Sequence, residues 1–259
     1  MMTTAIACDD TSDSTTLSGS IDRIETFELD GTGLDRLLVI TGAGDATIDT
    51  ADIERIEVRA EIYGERTRVE RGVADGTARI ETRCEEQPRN CGVDYFVTMP
   101  ADLAATVDTG SGEVAITGVD NAVQVATGSG EVDITGIVGA VQAAAGSGTI
   151  TVDTVVGQSV DLETGSGTID ATGLDVVMAT AETGSGSVEM QFGDTPPDSV
   201  TISAGSGSVT LAVPPAEYRV STMVEAGEVV VDGITVVASA PRELAITTGS
   251  GNVSIHGHR

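Results

Sequence analysis

Seven copies of Gly-Ser-Gly, at 110–112, 128–130, 146–148, 165–167, 184–186, 205–207 and 249–251, constrain the fold of this chain more than any other feature. Successive copies start 18, 18, 19, 19, 21 and 44 residues apart, the last interval being about two periods. After each triplet come two apolar residues separated by one outward residue, as in Val114/Ile116, Val132/Ile134, Ile150/Val152 and Val209/Leu211. Before it lies a second alternating pair, such as Val123/Val125, Val141/Ala143, Val160/Leu162 and Val200/Ile202. Each period therefore holds two short strands and two turns, with one apolar face per strand. Neither strand buries that face alone, whereas stacked copies do.

The spacing excludes rivals. Helical repeats need periods above about thirty residues with a 3.6-residue pattern, and a propeller blade needs about forty residues. The expectation is an all-β, single-chain parallel β-solenoid, a β-helix with two short strands per 18–21-residue rung. A right-handed coil is the default for parallel β connections. Glycines supply the positive φ and the lack of bulk that a stacked corner needs. The serines between them are expected to stack, with hydroxyls bonding between rungs. Small residues (Thr109, Thr127, Ala145, Thr164, Thr183 and Ala204) precede the triplets.

The pattern divides the chain into a polar tether over 1–20, an N-terminal β region over 21–100, a regular solenoid over 101–213, and irregular rungs with a cap over 214–259. In the second part Ile24–Leu29 and Ile53–Tyr63 alternate, and Arg55, Glu57, Arg59 and Glu61 are expected on a solvated face with cross-strand ion pairs. Residues 65–92 read as a long hairpin with its cysteines at or near the tip. Tyr95–Pro100 reads as the strand that leads into the repeats. Toward the C-terminus, Glu225-Ala226-Gly227-Glu228 reads as a degenerate triplet between the copies at 205 and 249.

Composition fits thin, regular layers: 32 Gly, no Trp, three Phe and three Tyr. The net charge is −28 and every basic residue is Arg. Ten of the 13 arginines lie before residue 90, and none lies between Asn90 and Tyr218, a span with 17 Asp plus Glu. Such a field repels nucleic acid and anionic membrane surfaces, and it suits a salty medium or a cation. Glu113 and Glu131 occupy equivalent outward positions one rung apart, with Asp133 two along. These three acids are the candidate metal site, with Ca²⁺ as the hard cation they would hold.

Cys84 and Cys91 stand in a polar stretch and are expected to close a short loop as a disulfide, which implies an oxidising compartment. Cys8 follows Ala5-Ile6-Ala7, a context like a bacterial lipoprotein processing site, so lipidation there is the expected membrane link. No stretch is long and apolar enough to span a membrane as a helix. No catalytic constellation emerges. Gly-Ser-Gly followed by a strand is not a nucleophile elbow, and His256 and His258, the chain's two histidines, fall in what reads as a frayed tail. No catalytic residue and no cofactor site is assigned.

The stretch Val93–Leu103, leading into Val107-Asp108-Thr109-Gly110-Ser111-Gly112-Glu113-Val114, resembles the bacterial and archaeal "putative adhesin" domains of unknown function. In those, a strand ending in Pro precedes Ser-Gly-x-Val/Ile repeats. Val209–Pro214 matches the pattern again. The resemblance covers roughly 35–255 and implies a β-solenoid, usually exported or associated with the envelope. The expected function is a non-enzymatic, extracytoplasmic structural or adhesive role at the cell envelope, engaging a surface ligand. The alternative is an envelope sensing or binding module that engages a protein partner or divalent cation through the 66–92 hairpin.

Overall fold

In the computed structural model, which describes residues 20–85 and 91–258, the chain is all-β, with mostly parallel strands stacked in a solenoid-like array. The regular rungs stack in register: Val123 pairs with Val141, Val141 with Val160, Val160 with Ala179, and Ala179 with Val200. The strands after the triplets do the same, from Val114 through Val132, Ile150, Ile169 and Val188 to Val209. Each of these residues is at most 2% exposed. Side chains in one column alternate in size. Leu162 lies between Ala143 and Ala181, and Ile202 follows Ala181. Small next to large fills the column without voids or strain.

The corners are built from backbone. The third glycine of each triplet has φ between +136° and +157° in the rungs from 128 to 207. Its N–H donates to the carbonyl of the central serine one rung on: Gly130 to Ser147 at 3.1 Å, Gly148 to Ser166 at 3.0 Å, Gly167 to Ser185 at 2.9 Å. The serine side chains, expected to bond between rungs, mostly point to solvent. Among described residues, a contact between serine hydroxyls of neighbouring rungs occurs at Ser250 to Ser206, 3.4 Å. The buried hydroxyls belong instead to the threonines before the triplets. Thr164, Thr183 and Thr248 donate to Gly148, Gly167 and Gly207 carbonyls at 3.1–3.2 Å. A hydroxyl inside the corner must be satisfied there, whereas one outside has water.

At both ends the stacking order departs from chain order. The strands Arg23–Asp30, Arg36–Ala43, Ala46–Thr50, Arg55–Tyr63, Thr67–Ala74, Thr77–Cys84 and Gly92–Met99 are β1 to β7. β2 and β3 form a rung with the corner Gly42-Ala43-Gly44, where Ala43 pairs with Ser111. That rung lies between 104–117 on one side and β6 with β7 on the other. At the C-terminal end, strand Arg242–Ser250 pairs with both Ser199–Ser206 and Glu217–Ala226. The triplet 249–251 therefore stacks directly on 205–207, and the degenerate 225–227 is outermost, not intermediate. His256 sits in strand Val253–Gly257, paired with Ala212 and Asp232, so it belongs to an inner rung and not to a frayed tail.

Candidate binding surface at the N-terminal end

β7 pairs parallel with β3 on one side and antiparallel with β4 on the other, and β4 pairs antiparallel with β1. Alternation sends Tyr95 and Val97 inward, 1% and 3% exposed, and leaves Phe96 outward at 40%. The register lines up Thr47, Phe96, Arg59 and Thr26 as one outward row across the four strands. Asp49, Thr98, Glu57 and Glu28 form the next row. Between them lies a cleft of about 420 Å³. The Arg59 guanidinium lies 5.1 Å from the centre of the Phe96 ring and is held by Glu61 on its own strand. The cleft thus offers an aromatic face, a cation, three hydroxyls and three carboxylates. This can hold a polar ligand by stacking and hydrogen bonding. In the sequence Phe96 lies within the strand-like run Tyr95–Pro100. The signal was present: when Tyr95 and Val97 face the core, an aromatic stands in water.

β5 and β6 form an antiparallel hairpin that turns at Asp75-Gly76, with φ of 50° and 72°. Asp-Gly with both φ positive is the two-residue turn that matches strand twist. The tip is therefore there, and Cys84, opposite Thr67, marks the open end. The sulfurs of Cys84 and Cys91 are bonded, with Cα atoms 5.9 Å apart, at the point where β6 leaves and β7 begins. Arg71 of the hairpin covers Phe27 of β1 at 4.2 Å. Glu81, 9% exposed, accepts from Arg79 at 2.6 Å and pairs with Arg83 at 3.0 Å. Beneath the hairpin a second cleft, of about 380 Å³, is lined by Leu38, Arg71, Val73 and Arg79. Cross-strand ion pairs do occur on the solvated faces, between Arg55 and Glu28, Arg83 and Glu70, and Arg68 and Glu85.

Glu131 and Asp133 lie close enough to Glu113 to repel its charge, and Asp45 joins them. Asp45 was not visible as a member because its corner precedes that of Glu113 by 68 positions in sequence. Its carboxylate accepts the backbone N–H of Glu113 at 2.8 Å, and Asp94 accepts that of Asp45 at 2.9 Å. Asp45 and Asp94 thus cap corners. Among the described residues, no three His, Cys, Asp or Glu side chains converge in an arrangement that could hold a metal ion. Cys8 lies outside the described residues.

Partial burial, then repulsion from Asp45, Asp133 and Glu131, raises the pKa of the Glu113 carboxyl from its ordinary value. The folded state therefore binds this proton more tightly than the unfolded chain. That contribution is complete below the unfolded pKa and is lost as pH rises through the raised folded value. Glu113→Gln is expected to raise the melting temperature at neutral pH in low salt. The gain should vanish on acidification below the carboxylate range and shrink with added salt. A variant that melts no higher than the parent at neutral pH and low salt would contradict the repulsion.

Residues 95–256 match the family described as Toastrack DUF4097. A "putative adhesin" from Parabacteroides distasonis is 13% identical, covers 91% of this chain and 98% of its own, and superposes with a TM-score of 0.50, which shows a shared fold. Two further solved structures are a "putative adhesin" from Bacteroides fragilis and a "putative lipid binding protein" from Parabacteroides distasonis. The first is 13% identical over 90% of this chain and 97% of its own, with a TM-score of 0.41. The second is 13% identical over 92% and 98%, with a TM-score of 0.40. A comparison with the curated proteins finds no match.

Proposed function

This chain belongs to the Toastrack DUF4097 family, and from that membership we propose that it is a non-enzymatic binding or adhesive module working outside the cytoplasm, at the cell envelope. The observation that carries the reading is Phe96, an aromatic left 40% exposed in a cleft of hydroxyls, carboxylates and Arg59. The chemistry suits a polyhydroxylated surface ligand such as a glycan: C–H faces stack on the ring while hydroxyls bond to Thr47, Thr98 and Glu57. The Cys84–Cys91 bond supports the extracytoplasmic reading, because such bonds persist in oxidising compartments. Lipidation at Cys8 would supply the membrane link.

A glycan array probed with the labelled chain tests the reading. Binding is expected, and Phe96→Ala should weaken it by about tenfold or more, whereas Thr151→Ala on a regular rung should leave it unchanged. Equal binding by Phe96→Ala, or turnover of a polysaccharide, would overturn the proposal. The second reading, a protein partner at the hairpin, is favoured by the exposed Val73 beside the second cleft. The variant for that reading is Val73→Glu rather than removal of 66–92. β6 carries Ala78 and Ile80, both 0% exposed, so deletion would cut into the core.

A further inference from the structure

The C-terminal end of the stack is open. In the last inner rung Leu244, Ile246, Val253 and Ile255 are at most 1% exposed. One rung further out, the same columns hold Val220, Thr222, Val229 and Val231. Here Thr222 faces solvent, and Val229 and Val231 are 43% and 40% exposed. The outer edge of strand Glu217–Ala226 is covered at Glu217 and Tyr218 by Thr235 and Val236. From Arg219 to Ala226 no described residue pairs with it. An uncovered core beside a free strand edge is a template for another chain.

The opposite end is shut. There β4 and β1 extend the sheet antiparallel, and Ile56, Val58, Ala60 and Ile62 are at most 3% exposed. A head-to-tail partner would meet no open core, so the matching surface on a second copy is its own C-terminal rung. We propose that the outermost rung is a dimer interface in which two copies of this chain abut end to end about a two-fold axis, pairing their Arg219–Ala226 edges antiparallel.

The pattern along that edge selects a register. Directly opposed residues of an antiparallel pair point to the same side, so the axis must pass midway between the two copies of one residue. Centred on Thr222, the pairing sets Arg219 opposite Glu225 of the partner subunit, twice by symmetry. It also sets Val220 opposite Val224 of the partner subunit, on the core side. Centred on Ser221, it would oppose Glu217 to Glu225 of the partner subunit, which like charges disfavour. A two-fold contact closes on itself, so assembly stops at two. The two N-terminal clefts then lie at opposite ends of the dimer, a bivalent arrangement.

Sedimentation equilibrium of the full chain tests this. A dimer is expected, and Arg219→Glu or Glu225→Arg should each weaken it by about tenfold or more. The double exchange should bring it back toward the parent, because the pairs re-form with their partners swapped. Arg219→Glu also loses the 2.7 Å bond to Glu243. Glu225→Arg leaves that bond alone, and its unchanged thermal melt would show that the fold is intact. A monomer at every concentration, a dimer indifferent to both reversals, or open-ended filaments would each overturn the proposal.

Discussion

Gly148→Ala is expected to cost on the order of 3–5 kcal/mol, out of proportion to one added methyl. Two effects combine. The residue holds φ at +136°, a conformation that side chains rarely adopt. An added Cβ would also lie 1.9 Å from the carbonyl oxygen of Gly130 in the preceding rung. That atom is backbone, fixed by the stack, so relief requires the two rungs to part at the corner. Parting them would strain the neighbouring bond from Gly130 N–H to Ser147. Ser147→Ala, one residue away, removes an exposed hydroxyl and should fall within about 0.5 kcal/mol of the parent. Urea midpoints of the two variants make the comparison. Equal midpoints would show that the corner tolerates bulk and that the glycines serve some other purpose.

Removing residues 242–259 is expected to cost two rungs rather than one. In chain order, the cut should leave 217–232 stacked on 199–213. In the structure, Arg242–Gly257 is the layer between them, and both outer strands pair only with it on that side. Without it, strand Glu217–Ala226 faces a gap two strand spacings wide, about 9.6 Å. Hydrogen exchange should then show 217–236 as unprotected as a loop while 199–213 keeps most of its protection. Protection retained across 217–236 would mean that the two rungs can close up, and that the stacking order at this end is optional.

Much of the ladder was legible in the sequence. Period, strand pairs and inward residues all follow from alternation around each triplet. Four features were not. Gly42-Ala43-Gly44 is a full corner of the same ladder, yet it stands 68 residues before its neighbour at 110 because β4 to β7 intervene. A search at a period near 18 passes over it. The polar stretch around the cysteines suggests a hairpin tip at or near them, although Asp75-Gly76 carries the stronger turn signal. The serine stack was expected from the repeat itself. Whether a hydroxyl points in or out depends on the corner's backbone path, and that path buries the threonine instead. The cleft around Phe96 needed the pairing of four strands, two of them antiparallel, from segments up to 70 residues apart.

By itself, then, the sequence determined the unit: two strands, one apolar face each, and a glycine corner that leaves room for the next layer. It determined that units stack, since no unit can bury its own face. The tertiary structure alone decided which unit lies against which at the two ends. Every rung edge presents the same backbone donors and acceptors and closely similar apolar columns, so a repeat carries little record of its neighbour. The choice fell to the connections, which in both end regions let the chain run past one position and return to fill it. That return shuts the core under antiparallel strands at one end and leaves it open at the other.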